Sequence, residues 1–217
     1  MMMTFWEPVL LSLRTALFAS LFIIVIGIFA GRLMSGRNFK GKIIIETMFM
    51  LPLVLPPSVV GFFLIVIFGK NSVAGQMIET LFGHPIIFTW WAAVIAATVV
   101  AFPLMYQSAK TGFSSVEHHI EDAARVDGAG EWKVFLMVTI PLSIKALLSG
   151  SILSFTRALG EFGATLMFAG NIPGKTQTLP TAIYVAIDTG NMSLAWMWVT
   201  ATVIISFLML ISTYLIK

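Results

Sequence analysis

Long apolar runs dominate this chain, in place of the period-two alternation of half-buried strands or the narrow stripes of surface helices. Five stand out. The first covers residues 9–31, with Arg14 near one end, where its aliphatic stem can lie along apolar surroundings while the guanidinium reaches an interface. The second, 47–69, holds no charge but is interrupted by Pro52, Pro56 and Pro57, which predicts a kink. The third, 86–109, contains Pro103. The fourth, 141–163, is interrupted by Arg157 and Glu161, and the fifth, 193–216, is clean and followed by Lys217. A helix needs about 20 apolar residues to cross a bilayer, so each run predicts one transmembrane helix. No repeat, low-complexity stretch or long polar segment separates them. The expectation is an all-α integral membrane protein with a single transmembrane domain over residues 1–217.

Composition narrows the class further. Of 217 residues, 58% are apolar and 11% charged, against about 45–50% and roughly 25% in soluble domains. A mean hydropathy of +0.95 agrees. A soluble enzyme and a disordered tail are excluded, as is an outer-membrane barrel, whose strands alternate. The absence of cysteine removes disulfides, thiolate metal sites and cysteine nucleophiles. No Lys or Arg precedes Arg14 and no small-residue cleavage pattern follows the first run, so that run is expected to stay in the protein. A net charge of +3 is too weak and scattered to argue for nucleic acid.

The placement of cations says more than their sum, because Lys and Arg collect in cytoplasmic loops. The linker 32–42 holds Arg32, Arg37, Lys40 and Lys42 and no acid. The linker 110–133 holds Lys110, Arg125 and Lys133, with Lys145 close behind and Lys217 at the end; only Lys70 and Lys175 fall on the other side. Five spans with the N-terminus outside and the C-terminus inside satisfy this distribution. Residues 160–191 are long for a connection in a compact protein, yet contain apolar 162–169 and 179–187. They are expected to hold the outer end of span four and a partly buried or re-entrant element, since a further full span would place Lys217 outside.

The most informative linker is 110–140. Ser114, three residues before Glu117, is a capping-box pattern and predicts a helix start there. Val116, Ile120 and Ala123/Ala124 recur at helical spacing, with Glu117, Glu121 and Asp122 largely off that stripe. Gly128 supplies the left-handed residue that ends a helix. A second helical pattern follows Gly130, and Pro141 marks the entry into span four. Pattern alone reads as a short amphipathic helix, a glycine turn and a second helix at the membrane surface, which a plain interfacial helix would satisfy equally.

Asp122-Ala123-Ala124, three residues, Gly128, nine residues and Val138-Thr139-Ile140-Pro141 resemble the EAA loop of ABC-importer permeases. That loop reads Glu-Ala-Ala, three residues, Gly, nine residues, then Ile, any residue, Leu-Pro. Asp122 stands where Glu is usual, with Glu121 just before it, and Val138 and Ile140 are conservative departures. Residues 51–61, LPLVLPPSVVG, look like the second-span motif of the oxyanion permeases. Residues 157–165, RALGEFGAT, followed by FAGNIPGKTQTLP at 168–180, closely resemble the molybdate permeases. Sulfate permeases share the part from Arg157 to Gly163 but usually differ after Asn-Ile-Pro. The similarity runs from about Phe39 to the C-terminus.

That resemblance implies a type I ABC importer permease fold in the cell membrane. Glu121, Asp122, Ala123, Ala124, Gly128 and Pro141 would form the coupling loop, whose helix docks into a cleft of an ATPase subunit. The acid would pair with a cation there and Gly128 would permit the turn. It further implies a homodimer, two ATPase subunits that bind ATP and Mg, an extracytoplasmic molybdate-binding protein, and no cofactor in this chain. The implied function is import of molybdate, with tungstate as co-substrate, by alternating access. Sulfate or thiosulfate import is the neighbouring alternative. A secondary transporter would call for inverted repeats and paired broken helices, which are not evident, and a membrane-embedded enzyme would need a catalytic constellation. No phosphate-binding Gly-rich loop with its lysine occurs, so the chain is not expected to hydrolyse ATP.

Arg157 and Glu161 remain the chemically notable intramembrane pair. A charge at the bilayer centre costs roughly 2.5–3.5 kcal/mol, so each needs a partner or a wet cavity, and four-residue spacing lets them pair on one helix face. They read either as a structural ion pair or as a pair in which Arg157 also lends positive potential to an oxyanion path. Gly160 and Gly163 beside them would admit a close helix. His118-His119 with Glu117 and Glu121 could suggest a metal site, but adjacent helical residues point about 100° apart, and a solvated helix face is the plainer reading.

Overall fold

The computed structural model describes residues 5–36 and 39–215. Arg37 and Lys217, two cations of the orientation count, and Ile216, the last residue of the fifth run, lie outside the described residues. In chain order the helices are α1 (Trp6–Met34), α2 (Lys42–Val54), α3 (Pro57–Phe68), α4 (Val73–Phe82), α5 (Trp90–Ser114) and α6 (His118–Val126). There follow α7 (Glu131–Val134), a π-turn (Phe135–Thr139), α8 (Ile140–Leu142), α9 (Ile144–Leu159), α10 (Gly163–Ala169), α11 (Leu179–Asp188) and α12 (Met192–Leu215).

Among the described residues, α1, α5 and α12 are each long and apolar enough to cross a membrane. Two bent pairs, α2 with α3 and Glu131–Leu142 with α9, raise the number to five if each counts as one span. The second run is more than kinked. A residue before proline is driven toward extended backbone, and Leu55 (φ −67°, ψ 144°) and Pro56 (φ −53°, ψ 135°) both leave the helical region. Pro57 then opens α3, and the two helices meet at 116°. Pro52 sits inside α2 without ending it. The fourth run is divided as well: α9 stops at Leu159, which leaves Glu161 beyond the helix end. Helix α4 was not expected; the Ser72 hydroxyl starts it by accepting from the Gly75 N–H at 2.9 Å.

The bundle is built on α1, α5 and α9, whose facing sides carry Ala16, Ala19, Ala97, Ala101, Ala109 and Ala158. Small residues let backbones approach where lipid supplies no hydrophobic drive between helices. A Cβ on Gly27 would lie 2.6 Å from Met105 Cγ, and one on Gly150 would lie 2.5 Å from Ser108 Cβ. Polar ties lock this packing. The Trp90 indole donates to Thr15 Oγ1 at 2.9 Å, the Trp198 indole donates to the Phe5 carbonyl at 3.0 Å, and the Arg14 guanidinium stacks 4.5 Å from the Trp90 ring. The outside of the bundle is apolar. Leu10, Leu17, Leu21 and Val25 of α1 are each at least 60% exposed, an arrangement that water penalises and lipid accepts. Residues 160–191 hold two short helices packed into the bundle. Ala164, Phe168 and Ala169 of α10 meet α3 and α5, while Leu179, Ala182 and Ala186 of α11 meet Val9 and Trp198.

Candidate functional site

Helix α6 has nine residues, and the one side chain it buries is a carboxylate, Glu121, 5% exposed. Glu121 Oε1 accepts from Arg32 at the end of α1 (3.1 Å) and from the Thr139 hydroxyl in the π-turn, and Oε2 accepts from Arg125 (3.4 Å). Burial by itself would raise the pKa of this acid. The Thr139 hydroxyl and the Arg32 and Arg125 guanidiniums outweigh burial and hold it below the ordinary carboxylate value. The Arg32 guanidinium also lies 5.3 Å from the centre of the Phe135 ring, within cation–π range.

Asp122 faces the other way. It is exposed and accepts from Arg125 Nη1 at 2.7 Å. Arg125 reaches across the turn to Glu131 at the start of α7, donating from Nε at 2.8 Å and from Nη2 at 3.2 Å. Hydrogen bonds to Glu131 and Asp122 push the Arg125 pKa still higher. The two adjacent acids thus divide the work: Glu121 holds the helix to the body and Asp122 stands on its outer surface.

Gly128 takes φ +85°, a conformation that side chains with a Cβ resist. Its N–H donates to the Arg125 carbonyl and that of Ala129 to the Ala124 carbonyl, both at 3.0 Å. These are the two bonds of a Schellman end, so the expected glycine turn is present. The expected capping box is not. Helix α5 runs on to Ser114, which is therefore itself helical, and the Ser115 hydroxyl donates to the Gly112 carbonyl (2.7 Å). Helix α6 starts at His118 with Glu117 before it and no side-chain cap. The apolar stripe is also turned over. Val116 is buried, but Ile120 and Ala123 face out and Val126 is 87% exposed. Charge neutralisation by Arg32 and Arg125 lets Glu121 take the inner face. His119 lies on the exposed surface, its Nε2 3.1 Å from Glu117.

Pro141 explains the shape of the next segment. It has no N–H to give, and its ring crowds the carbonyl four residues back. The chain widens just before it, with the Ile140 N–H reaching back five residues to the Phe135 carbonyl. Ser143 then donates its hydroxyl to the Gly112 carbonyl of α5 at 3.0 Å, and the segment bends by 73° into α9. Arg32 and Thr139 were not singled out in the sequence. Thr139 fills the unspecified position of the motif at 138–141 and is a lone hydroxyl in an otherwise apolar run, and Arg32 reads in the sequence as an orienting cation.

Arg157 and Glu161 do meet, with Nη1 and Oε2 2.8 Å apart. They do not share one helix face, because Glu161 follows the end of α9. Its other oxygen accepts from the Ala164 N–H at 2.8 Å in the first turn of α10. Glu161 is 2% exposed, whereas the Arg157 side chain is 30% exposed. Of the two neighbouring glycines, Gly163 fulfils the close-approach expectation: a Cβ there would sit 2.9 Å from Pro57 Cβ. One on Gly160 would meet nothing nearer than 3.7 Å.

The bundle of apolar helices carries a polar helix, clasped across a glycine turn, at one end, as the resemblance to importer permeases implies. The chain belongs to the binding-protein-dependent transport system inner membrane components, whose family profile matches residues 23–217. It is a multi-pass plasma-membrane protein with an all-helical importer permease fold. It is 65% identical over 206 residues to a putative molybdenum transport system permease protein of Bacillus subtilis (strain 168), covering 95% of this chain and 91% of that one. It is 40% identical over 214 residues to the molybdenum transport system permease protein of Escherichia coli (strain K12), covering 98% and 93%. Among solved structures, an inward-facing methionine ABC transporter matches with a TM-score of 0.74 at 18% identity, over 96% of this chain and 92% of that one.

Proposed function

We propose that this chain is the permease subunit of an ATP-driven importer that moves molybdate, and with it tungstate, into the cell. The observation that carries the substrate is the near full-length identity to molybdenum permeases, 65% in one relative and 40% in another. The coupling role is supported by α6, which directs its carboxylate inward and leaves Ile120, Asp122, Ala123 and Val126 on its outer side. In this reading that outer side docks on an ATPase subunit, which binds ATP and Mg; the permease holds no cofactor. Two copies of the permease, two ATPase subunits and an extracytoplasmic molybdate-binding protein make the complex. The N-terminus lies outside and the linker 110–140 inside.

ATP binding draws the two ATPase subunits together and carries the paired α6 helices with them. The permease halves rock, the inner opening closes, and an outer one receives the anion released by the binding protein. The passage need not hold the anion tightly, since a strong site would retain it. Arg157, partly exposed beside its buried partner, contributes positive potential to that path. The test is uptake by the reconstituted complex with its cognate binding protein. Molybdate uptake that needs ATP and is competed by tungstate supports the reading. Uptake of sulfate without molybdate, or uptake driven by an ion gradient without ATP, rejects it.

A further inference from the structure

Helix α6 raises a mechanical question. Its outward residues are those that would meet a partner, and the ties through Arg125 to Asp122 and Glu131 are exposed ion pairs, which contribute little to holding two elements together. Its one buried side chain is Glu121. Apart from the chain connections at its two ends, a displacement applied to α6 therefore enters the body of the protein through that carboxylate. Glu121 Oε1 is shared by two donors on different elements: Arg32 at the end of α1, and Thr139, fully buried in the π-turn. Helix α1 is central to the bundle, packed on α5 and α9. The π-turn continues through α8 into α9, and irregular turns of this type mark functional positions inside helices.

We propose that Arg32 and Thr139 are positioning residues. With Glu121 they form a clasp that makes α6, the end of α1 and the π-turn move as one body, so that displacement of α6 is passed to α1 and α9, two of the three helices on which the bundle is built. The inference rests on the coupling role assigned to α6 above, and adds the side chains that transmit it. Arg32 works at two points, because its guanidinium bonds Glu121 and lies over Phe135 of the π-turn. Thr139 needs its hydroxyl and not merely its volume.

The experiment uses the full complex in proteoliposomes and reads molybdate moved per ATP hydrolysed. Thr139→Val keeps the shape and removes the donor. It is expected to retain association with the ATPase while the transport-to-hydrolysis ratio falls about tenfold, the effect of losing one hydrogen bond to a charged group. Thr139→Ser keeps the hydroxyl and should restore the ratio, which a purely volumetric role would not. A second measurement leaves the clasp intact. The chain has no cysteine, so spin labels placed on exposed Leu33 and on exposed Asp127, which caps the end of α6 outside the proposed docking side, in one protomer report the separation of α1 and α6. That separation should be the same without nucleotide and with ATP bound. A Thr139→Val complex coupled like wild type, or a Leu33–Asp127 separation that changes on ATP binding, overturns the clasp. A wild-type chain that does not associate with the ATPase overturns the coupling role instead.

Discussion

Replacing Arg157 with Ala is expected to destabilise the protein more than replacing Glu161, although the two form one ion pair. Breaking a buried pair by removing one partner costs about 3–5 kcal/mol, because the other charge is left uncompensated. Glu161 is 2% exposed and would be stranded in that way. The Ala164 N–H, still 2.8 Å from the other carboxylate oxygen, would remain. The cost of Arg157→Ala should therefore fall at the lower end, about 3 kcal/mol. Glu161→Ala leaves a guanidinium that is 30% exposed and that, bordering the anion path proposed above, can recover solvation there. It loses the bond to the first turn of α10, worth about 1 kcal/mol at a helix start, and the bond to Arg157, about 1 kcal/mol net once the guanidinium is resolvated, so a total of about 2 kcal/mol follows. The double replacement leaves no unpaired charge and should be more stable than Arg157→Ala alone. Melting of the purified complexes in detergent, arranged as a double-mutant cycle, measures the coupling. A double variant that loses the full sum of the single losses would refute the pairing argument. Uptake per folded complex in the same double variant then separates the two roles of Arg157. Poor uptake supports a contribution to the anion path, and wild-type uptake rejects it.

Gly128→Val meets no atom within 4 Å of its Cβ, so its cost is conformational, roughly 1–2 kcal/mol for a side chain held at positive φ; uptake should fall while the amount of membrane-inserted protein does not. Asp122→Lys reverses the charge on the outer side of α6 and should weaken ATPase capture in a pull-down without lowering expression. The lowered pKa of folded Glu121 predicts a pH response: its stabilisation is fully present above the ordinary value of 4.5 and is lost as pH falls through the depressed value. Wild-type melting temperatures should thus drop more steeply below about pH 4.5 than those of Glu121→Gln, and parallel curves would show that Glu121 is not held ionised. Single cysteines at Lys40 and Ser115 should label only from the cytoplasm, and those at Asn71 and Lys175 only from outside. Lys175 is the proper site on its loop, since the neighbouring Thr176 is fully buried, and labelling of Lys175 from the inside alone would refute the five-span orientation.

Run length and proline position made most of the fold legible. The first, third and fifth runs appear as α1, α5 and α12 because nothing in them competes with helix once the surroundings are apolar. Boundaries moved where the competing influence was tertiary. Helix α5 continues to Ser114 past Lys110, whose ammonium is met by Glu46 of α2 at 2.6 Å, so a cation that would mark an interface in an isolated helix does not end this one. At Leu55-Pro56-Pro57 local sequence favoured a break, but no local rule gives the angle of 116°, which is set by where α3 finds α10. Packing of Gly61 against Met167 and Ala164 and of Gly163 against Pro57 fixes that position, and both contacts join residues about a hundred positions apart.

The linker 110–140 shows why spacing can place a motif without resolving what each residue in it does. Asp122 and Glu121 are chemically near-equivalent and adjacent, and a helical turn of about 100° between them means that only one can face the body. Periodicity favoured burying Ile120 and Ala123, the residues whose burial is least costly. The structure instead buries the acid. Arg32, Arg125 and Thr139 together supply three donors to Glu121, and a carboxylate so satisfied can occupy the inner face at little cost. Arg125, four residues on, is within reach by helical spacing, but the other two are not deducible from the loop alone, since Arg32 lies 89 positions away and Thr139 is brought round by the widening that Pro141 imposes. The consequence reaches function directly. With the acid inside, the apolar and small residues Ile120, Ala123 and Val126 are left outside, and a helix that would have sealed itself against the membrane surface presents a face that another protein can take up.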